Sequence, residues 1–128
     1  MVIGGLELRR ATAADLPGIL RLYGQPGLDD GAVLPLDRAE QIFSRMERYP
    51  DYHLYVGVRG GQVVGTFALL VIDNLGHLGA PSSLVEDVAV APECQGQGIG
   101  KAMIRHAMAI CRDKGCYKMA LSANLKRG

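Results

Sequence analysis

The stretch "LVEDVAVAPECQGQGIGKAMIRHAMAICRDKGCYKMALS", residues 84–122, constrains the fold more than any other part of the chain. A Val-rich run comes first, with Val85 set against Val88 and Val90, and Pro92 stops it because proline cannot continue a central ladder. Three glycines follow at alternate positions, Gly96, Gly98 and Gly100. Ile99, Met103, Ala107 and Ile110 then share one helical face, predicting a helix over Gly98–Lys114. Gly115 ends it, and "CYKMALS" reads as another strand. Strand, helix and strand in that order require a parallel pair with a right-handed crossover. A chain carrying this unit must build a parallel or mixed sheet.

Upstream, "LELRR" predicts a first strand over Leu6–Arg10. Leu16, Ile19, Leu20 and Tyr23 are spaced as one stripe of a helix, with Thr12 or Asp15 as its cap and Pro17 in its first turn. "GQPGLDDG" breaks that helix. A second helix is predicted from about Leu36 to Tyr49, with Ala39, Ile42, Phe43 and Met46 on one face and Asp37 with Glu40 as a capping box. "HLYVGVRGGQVVGTFALLVI" predicts a hairpin, with Leu54, Val56 and Val58 alternating, a turn at Gly60-Gly61 and a return over Gln62–Ile72. "DNLGHLGAPSS" is a glycine-rich loop. The expected order is β-α-α-β-β-β-α-β, one α/β (α+β) domain over residues 1–128.

With 128 residues the chain supports one core rather than two. Lys and Arg total 14 against 13 Asp and Glu, so no general field draws it to nucleic acid or acidic membranes. No apolar run reaches the ~20 residues of a membrane helix, and "MVIGGLELRR" lacks the layout of a signal peptide. Cys94, Cys111 and Cys116 have no metal-type spacing and read as free core thiols of a reducing compartment, with no metal site. A cytoplasmic protein is expected.

The glycines sit between a strand and a helix, where backbone amides attract phosphate. A Walker A loop fails: Ala102 follows Gly100-Lys101, and Gln95 stands where its first glycine belongs. A dinucleotide fingerprint fails on spacing and on its place in the chain. The pattern Gln/Arg-x-x-Gly-x-Gly/Ala fits Gln95 to Gly100. With "VEDVAVAPE" ahead, an amphipathic helix behind and "ATAADLPGIL" near the start, the chain resembles the GNAT superfamily of acyl-coenzyme A N-acyltransferases over nearly its whole length. "VEDVAV" and "GCYKMAL" are similar to the glucosamine-6-phosphate N-acetyltransferase branch.

The resemblance implies a mixed central sheet flanked by helices, with acetyl-coenzyme A as cofactor. Amides of Gln95, Gly96, Gln97, Gly98, Ile99 and Gly100 would cradle its pyrophosphate, with Lys101 adding charge. Main-chain groups of Val88, Ala89 and Val90 would pair with the pantetheine arm and stabilise the oxyanion. Asn124 matches a position that touches the cofactor. The implied reaction is direct attack on the acetyl group by the primary amine of a small molecule in a ternary complex, with Glu86 or Asp87 as base. On a regular strand these two point to opposite faces, so at most one faces a given pocket, and either also reads as a solvated strand-end carboxylate.

Asp29 and Asp30 would bind the acceptor amine, or simply form a solvated turn. His77 could reach the acceptor from its loop, while His53 and His106 are weaker candidates. Tyr49, Tyr52 and Tyr55 either pack or line a pocket. Family members continue past the strand matching "YKMALSANL" with a helix and two strands, including the tyrosine that protonates the thiolate. This sequence runs to "SANLKRG", so a C-terminally short domain is expected, with Tyr117 either a substitute acid or a strand residue. An open edge at "YKMALS" suggests a homodimer. The alternatives are a non-catalytic acyl-coenzyme A binder and an acetyltransferase of protein lysines or N-termini.

Overall fold

A computed structural model describes residues 2–122. The chain runs β1 (Val2–Ile3), β2 (Leu6–Arg10), α1 (Leu16–Tyr23), α2 (Leu36–Met46), β3 (Tyr52–Arg59), β4 (Gln62–Ile72), β5 (Ser82–Val90), α3 (Ile99–Asp113) and β6 (Lys118–Leu121). The six strands lie in one sheet in chain order. Neighbours are antiparallel except β5 and β6, which are parallel as the strand-helix-strand unit requires. The mixed sheet with helices is thus the expected one, plus a two-residue β1. That addition comes from a tight turn at Gly4 and Gly5, both at positive φ.

Helices cover both faces of the central strands. Gly65 of β4 lies under Met103 and Ile99 of α3, while Gly18 of α1 lies against Val63. Val64 is a bulge in β4, the extra residue between Val63, opposite Val58, and Gly65, opposite Gly57, and it puts Val63 and Gly65 on opposite faces. Burial is therefore unbroken from Val63 to Leu69, and Leu54, Tyr55 and Val56 are all buried. The alternation expected over Leu54, Val56 and Val58 does not mark one wet face, because a sheet covered on both sides has none there. The buried stripe of α3 is Ile99, Met103, Ala107 and Cys111, with Ile110 only half-buried. Among the described residues no helix is long and apolar enough to cross a membrane.

Two helix-end expectations need correction. The second helix stops at Met46 rather than near Tyr49, and its N-cap is Pro35, with no side-chain cap hydrogen bond. Proline has no side-chain acceptor, so Asp37 and Glu40 form no capping box. At α1, a single 3-10 turn over Ala13–Asp15 precedes the helix, and Pro17 sits in the first turn as expected. Asp15 is buried there, accepting hydrogen bonds from Arg9 Nη1 at 2.7 Å, Arg9 Nη2 at 2.9 Å and the Thr12 N–H at 2.7 Å.

The Arg9 guanidinium leads the causes that hold the Asp15 carboxyl below its usual range. Its folded pKa being depressed, Asp15 contributes stability above its unfolded pKa and loses it as pH falls through the folded value. Asp15→Asn is expected to cost about 2 kcal/mol at neutral pH, read from urea midpoints, and to flatten the loss of stability on acidification. A wild-type acid profile retained in the variant would refute this.

Candidate active site

Everything in the site follows from one irregularity in β5. Thr66 pairs with Ala89 and Ala68 with Glu86, so Phe67 alone faces both Asp87 and Val88. That is a bulge, and it places Asp87 at a φ of +53°, a conformation uncommon outside glycine. Regular alternation is lost at this point. The negative charges of Glu86 and Asp87 both bear on the Tyr52 hydroxyl, which burial in the first place pushes upward. The bulge removes the regular alternation on which opposite faces for the two carboxylates were expected, and both residues line one cleft.

Ser82 to Val85 stay in register with Lys118 to Leu121, and the Ser122 N–H donates to the Val85 carbonyl at 3.1 Å. Among the described residues, Glu86 to Val90 have no register partner on β6. A cleft of about 990 Å³ opens there. Residues 25–28 and Val85 to Val90 form its walls, joined by Gln95, Gly100 and Ile104 from the loop and α3, and by Leu121 and Ser122. Gln25, which sequence reading does not single out, donates through Nε2 to the Leu22 carbonyl at 2.8 Å and the Val90 carbonyl at 3.2 Å. It ties the wall after α1 to the end of β5.

At one end of the cleft lies the start of α3. Gly98 is its N-cap, at φ +81°, and supplies no side-chain cap. Gly96 is also left-handed, at φ +83°. These two glycines are explained by backbone conformation alone. Gly100 is not. It has ordinary helical geometry, and a Cβ there would meet only Val90 Cγ2 at 3.7 Å, an unstrained contact. What the missing side chain leaves clear is the cleft in front of the first-turn amides, which α3 itself cannot satisfy. Ile99 turns its side chain into the core, Lys101 is exposed on the first turn, and Gln97 is hydrogen-bonded to Arg59.

The cleft wall also carries Glu86 and Asp87. Burial, then the charge of Asp29, pushes the Asp87 carboxyl upward. Burial also holds the Tyr23 hydroxyl well above its usual value, with Asp87, Tyr52 and Asp29 adding to it. Tyr23 packs against the core, as periodicity marks it, and does not line the cleft. Asp29 and Asp30 part company: Asp30 turns its Oδ1 back to accept from the Gly27 N–H at 2.8 Å.

The three histidines lie elsewhere. His77 stacks on Tyr117 with ring centroids 3.8 Å apart, so neither lines the cleft. His53 sits between Arg10, at 2.8 Å, and Asp51, at 3.3 Å. His106 of α3 meets the Tyr55 ring edge-on. Tyr55 is core, stacked on Phe67, and Tyr49 packs against Tyr52. Asn124 lies outside the described residues.

Comparison with known proteins agrees with this geometry. Residues 19–127 match the model of the acetyltransferase (GNAT) family. A glucosamine 6-phosphate N-acetyltransferase of Trypanosoma brucei brucei is 38% identical over 128 residues, covering 94% of this chain and 82% of the relative. An aminoalkylphosphonate N-acetyltransferase of Salmonella typhimurium is 31% identical, with 94% and 76% covered. Among solved structures, a putative acetyltransferase from Agrobacterium tumefaciens superposes with a TM-score of 0.86 at 30% identity, over 93% of this chain and 82% of that one.

Proposed function

The chain belongs to the GNAT acetyltransferase family, and from that premise we propose that it transfers an acetyl group from acetyl-coenzyme A to the primary amine of a small molecule held beside it in the cleft. One observation carries the reading. One cleft beside the last rows of β5 is lined by Gln95 and Gly100 at the uncapped helix start and also by Glu86 and Asp87. The helix start suits a diphosphate and the carboxylates an alkylammonium ion.

The residues present fit the coenzyme. Amides of Gln95 to Gly100 would hold its phosphates, with the space at Gly100 admitting them to the helix start. Bound there, the coenzyme supplies an activated thioester. Among the described residues β6 offers no partner to Glu86 to Val90, and main-chain groups of Val88 and Ala89 would meet the pantetheine amides and charge developing on the acetyl oxygen. The Val90 carbonyl is already taken up by Gln25. Asp87, with Glu86 beside it, accepts the proton that the ammonium must lose, and a raised pKa moves a carboxyl towards that task.

Calorimetry tests the coenzyme end first. Wild type is expected to bind acetyl-coenzyme A, and Gly100→Glu to weaken binding at least tenfold, about 1.4 kcal/mol, with an unchanged melting temperature. Thiol release is then followed with a panel of amines, starting from glucosamine 6-phosphate and an aminoalkylphosphonate, the acceptors in the relatives' names. Failure of wild type to bind, or equal binding by Gly100→Glu, would overturn the assignment of the cleft.

A further inference from the structure

We propose that Arg59 is a positioning residue for the glycine loop, holding Gln97 so that the loop amides are set before the coenzyme arrives. The inference rests on the assignment of the loop as the phosphate cradle. Gln97 lies between Gly96 and Gly98, two glycines whose freedom would let the peptide planes on either side of it rotate. No side chain caps the helix start at Gly98. The backbone bonds that brace the loop from within, from the Cys94 N–H to the Ala91 carbonyl and from the Gln95 N–H to the Pro92 carbonyl, end before Gln97.

Arg59 reaches the loop from β3, thirty-eight positions earlier in the chain, and donates from Nη1 to Gln97 Oε1 at 2.8 Å. It gets there by strand geometry. Tyr55, Gly57 and Arg59 alternate onto the same face of β3, and Tyr55 meets His106 of α3, so this is the face that α3 covers. The absence of a side chain at Gly57 keeps that row low next to Leu6 and Leu8, whose atoms would lie 3.2 and 3.3 Å from a Cβ there. Arg59 is half-buried, and among the described residues its Nε is buried without a hydrogen-bond partner. Its charge strengthens the bond to Gln97.

Three proteins test it: Arg59→Met, Gln97→Leu and the double variant. Hydrogen exchange of the amides of residues 97–99, measured without coenzyme, is expected to quicken about tenfold in each single variant, the equivalent of one charge-assisted hydrogen bond. Exchange in the core of β4 should stay as in wild type. The KM for acetyl-coenzyme A should rise by a similar factor with kcat within about twofold. The double variant should be no worse than either single one, since both remove the same bond. Unchanged loop exchange in Arg59→Met, or losses that multiply in the double variant, would overturn the proposal. Should Arg59→Met fail to fold, Gln97→Leu, altered only at an exposed side chain, removes the same bond, and unchanged loop exchange there overturns the proposal equally. If the coenzyme assignment itself were wrong, exchange would still quicken while KM lost its meaning, so the two failures are distinguishable.

Discussion

Gly65→Val is expected to destabilise the protein by about 3 kcal/mol or more and to lower its melting temperature by roughly ten degrees. A Cβ at Gly65 would lie 2.8 Å from Met103 Sδ and 3.1 Å from Ile99 Cγ2. Both neighbours are essentially inaccessible to solvent, and they anchor α3 to the sheet. Alanine at this position is milder, about 1 kcal/mol, because the end of a methionine side chain can turn away. Valine adds two methyl groups where only one atom had any chance of being accommodated.

Gly18→Ala makes a sharper comparison. Helix propensity alone favours alanine by about 1 kcal/mol, yet the new Cβ would lie 2.8 Å from Val63 Cβ and 2.9 Å from its Cγ2. A β-branched side chain has little rotameric retreat, and its Cβ is fixed to the backbone. The net effect is expected to be a loss. Urea midpoints should rank the variants with Gly65→Val the least stable, then Gly18→Ala, then Gly65→Ala. A Gly65→Val protein melting within about two or three degrees of wild type would show that α3 is not held this closely.

These contacts also show where sequence reading stops. The elements from β3 to β6 are legible because their signals are local: Gly60-Gly61 for the hairpin, Pro92 after β5, Gly115 after α3. The glycine loop is legible for the same reason, since left-handed residues at Gly96 and Gly98 demand glycine. Gly18 and Gly65 are not, because what each accommodates is another element, Val63 in one case and Met103 in the other. The bulge at Asp87 is invisible too. It is a property of the register between β4 and β5, with Phe67 facing two residues, and a run such as "VEDVAV" alternates smoothly until its partner is known. Arg59 and Gln25 enter the site through hydrogen bonds spanning 38 and 65 positions, which no window of sequence contains. Pattern thus reaches the cradle and names the carboxylates, while only packing shows the bulge that sets them and the residues that brace the loop.

The bulge leads to the largest expected effect on activity. Asp87→Asn is expected to lower kcat/KM for the amine by about 10²–10⁴-fold while leaving acetyl-coenzyme A binding unchanged. In wild type the acid limb of the pH profile should lie above the ordinary carboxylate range, because burial and then Asp29 disfavour the ionised form that must accept the proton. Asp29→Asn removes the second cause and should move that limb towards lower pH. Asn shares the tolerance of a φ near +53°, so Asp87→Asn removes the charge without straining the backbone. Asp87 is an exposed residue, where solvent screens its charge, so the melting temperature of Asp87→Asn should stay within about two or three degrees of wild type. If Asp87→Asn kept both its rate and its acid limb, the proton acceptor would instead be Glu86, its neighbour on the bulge.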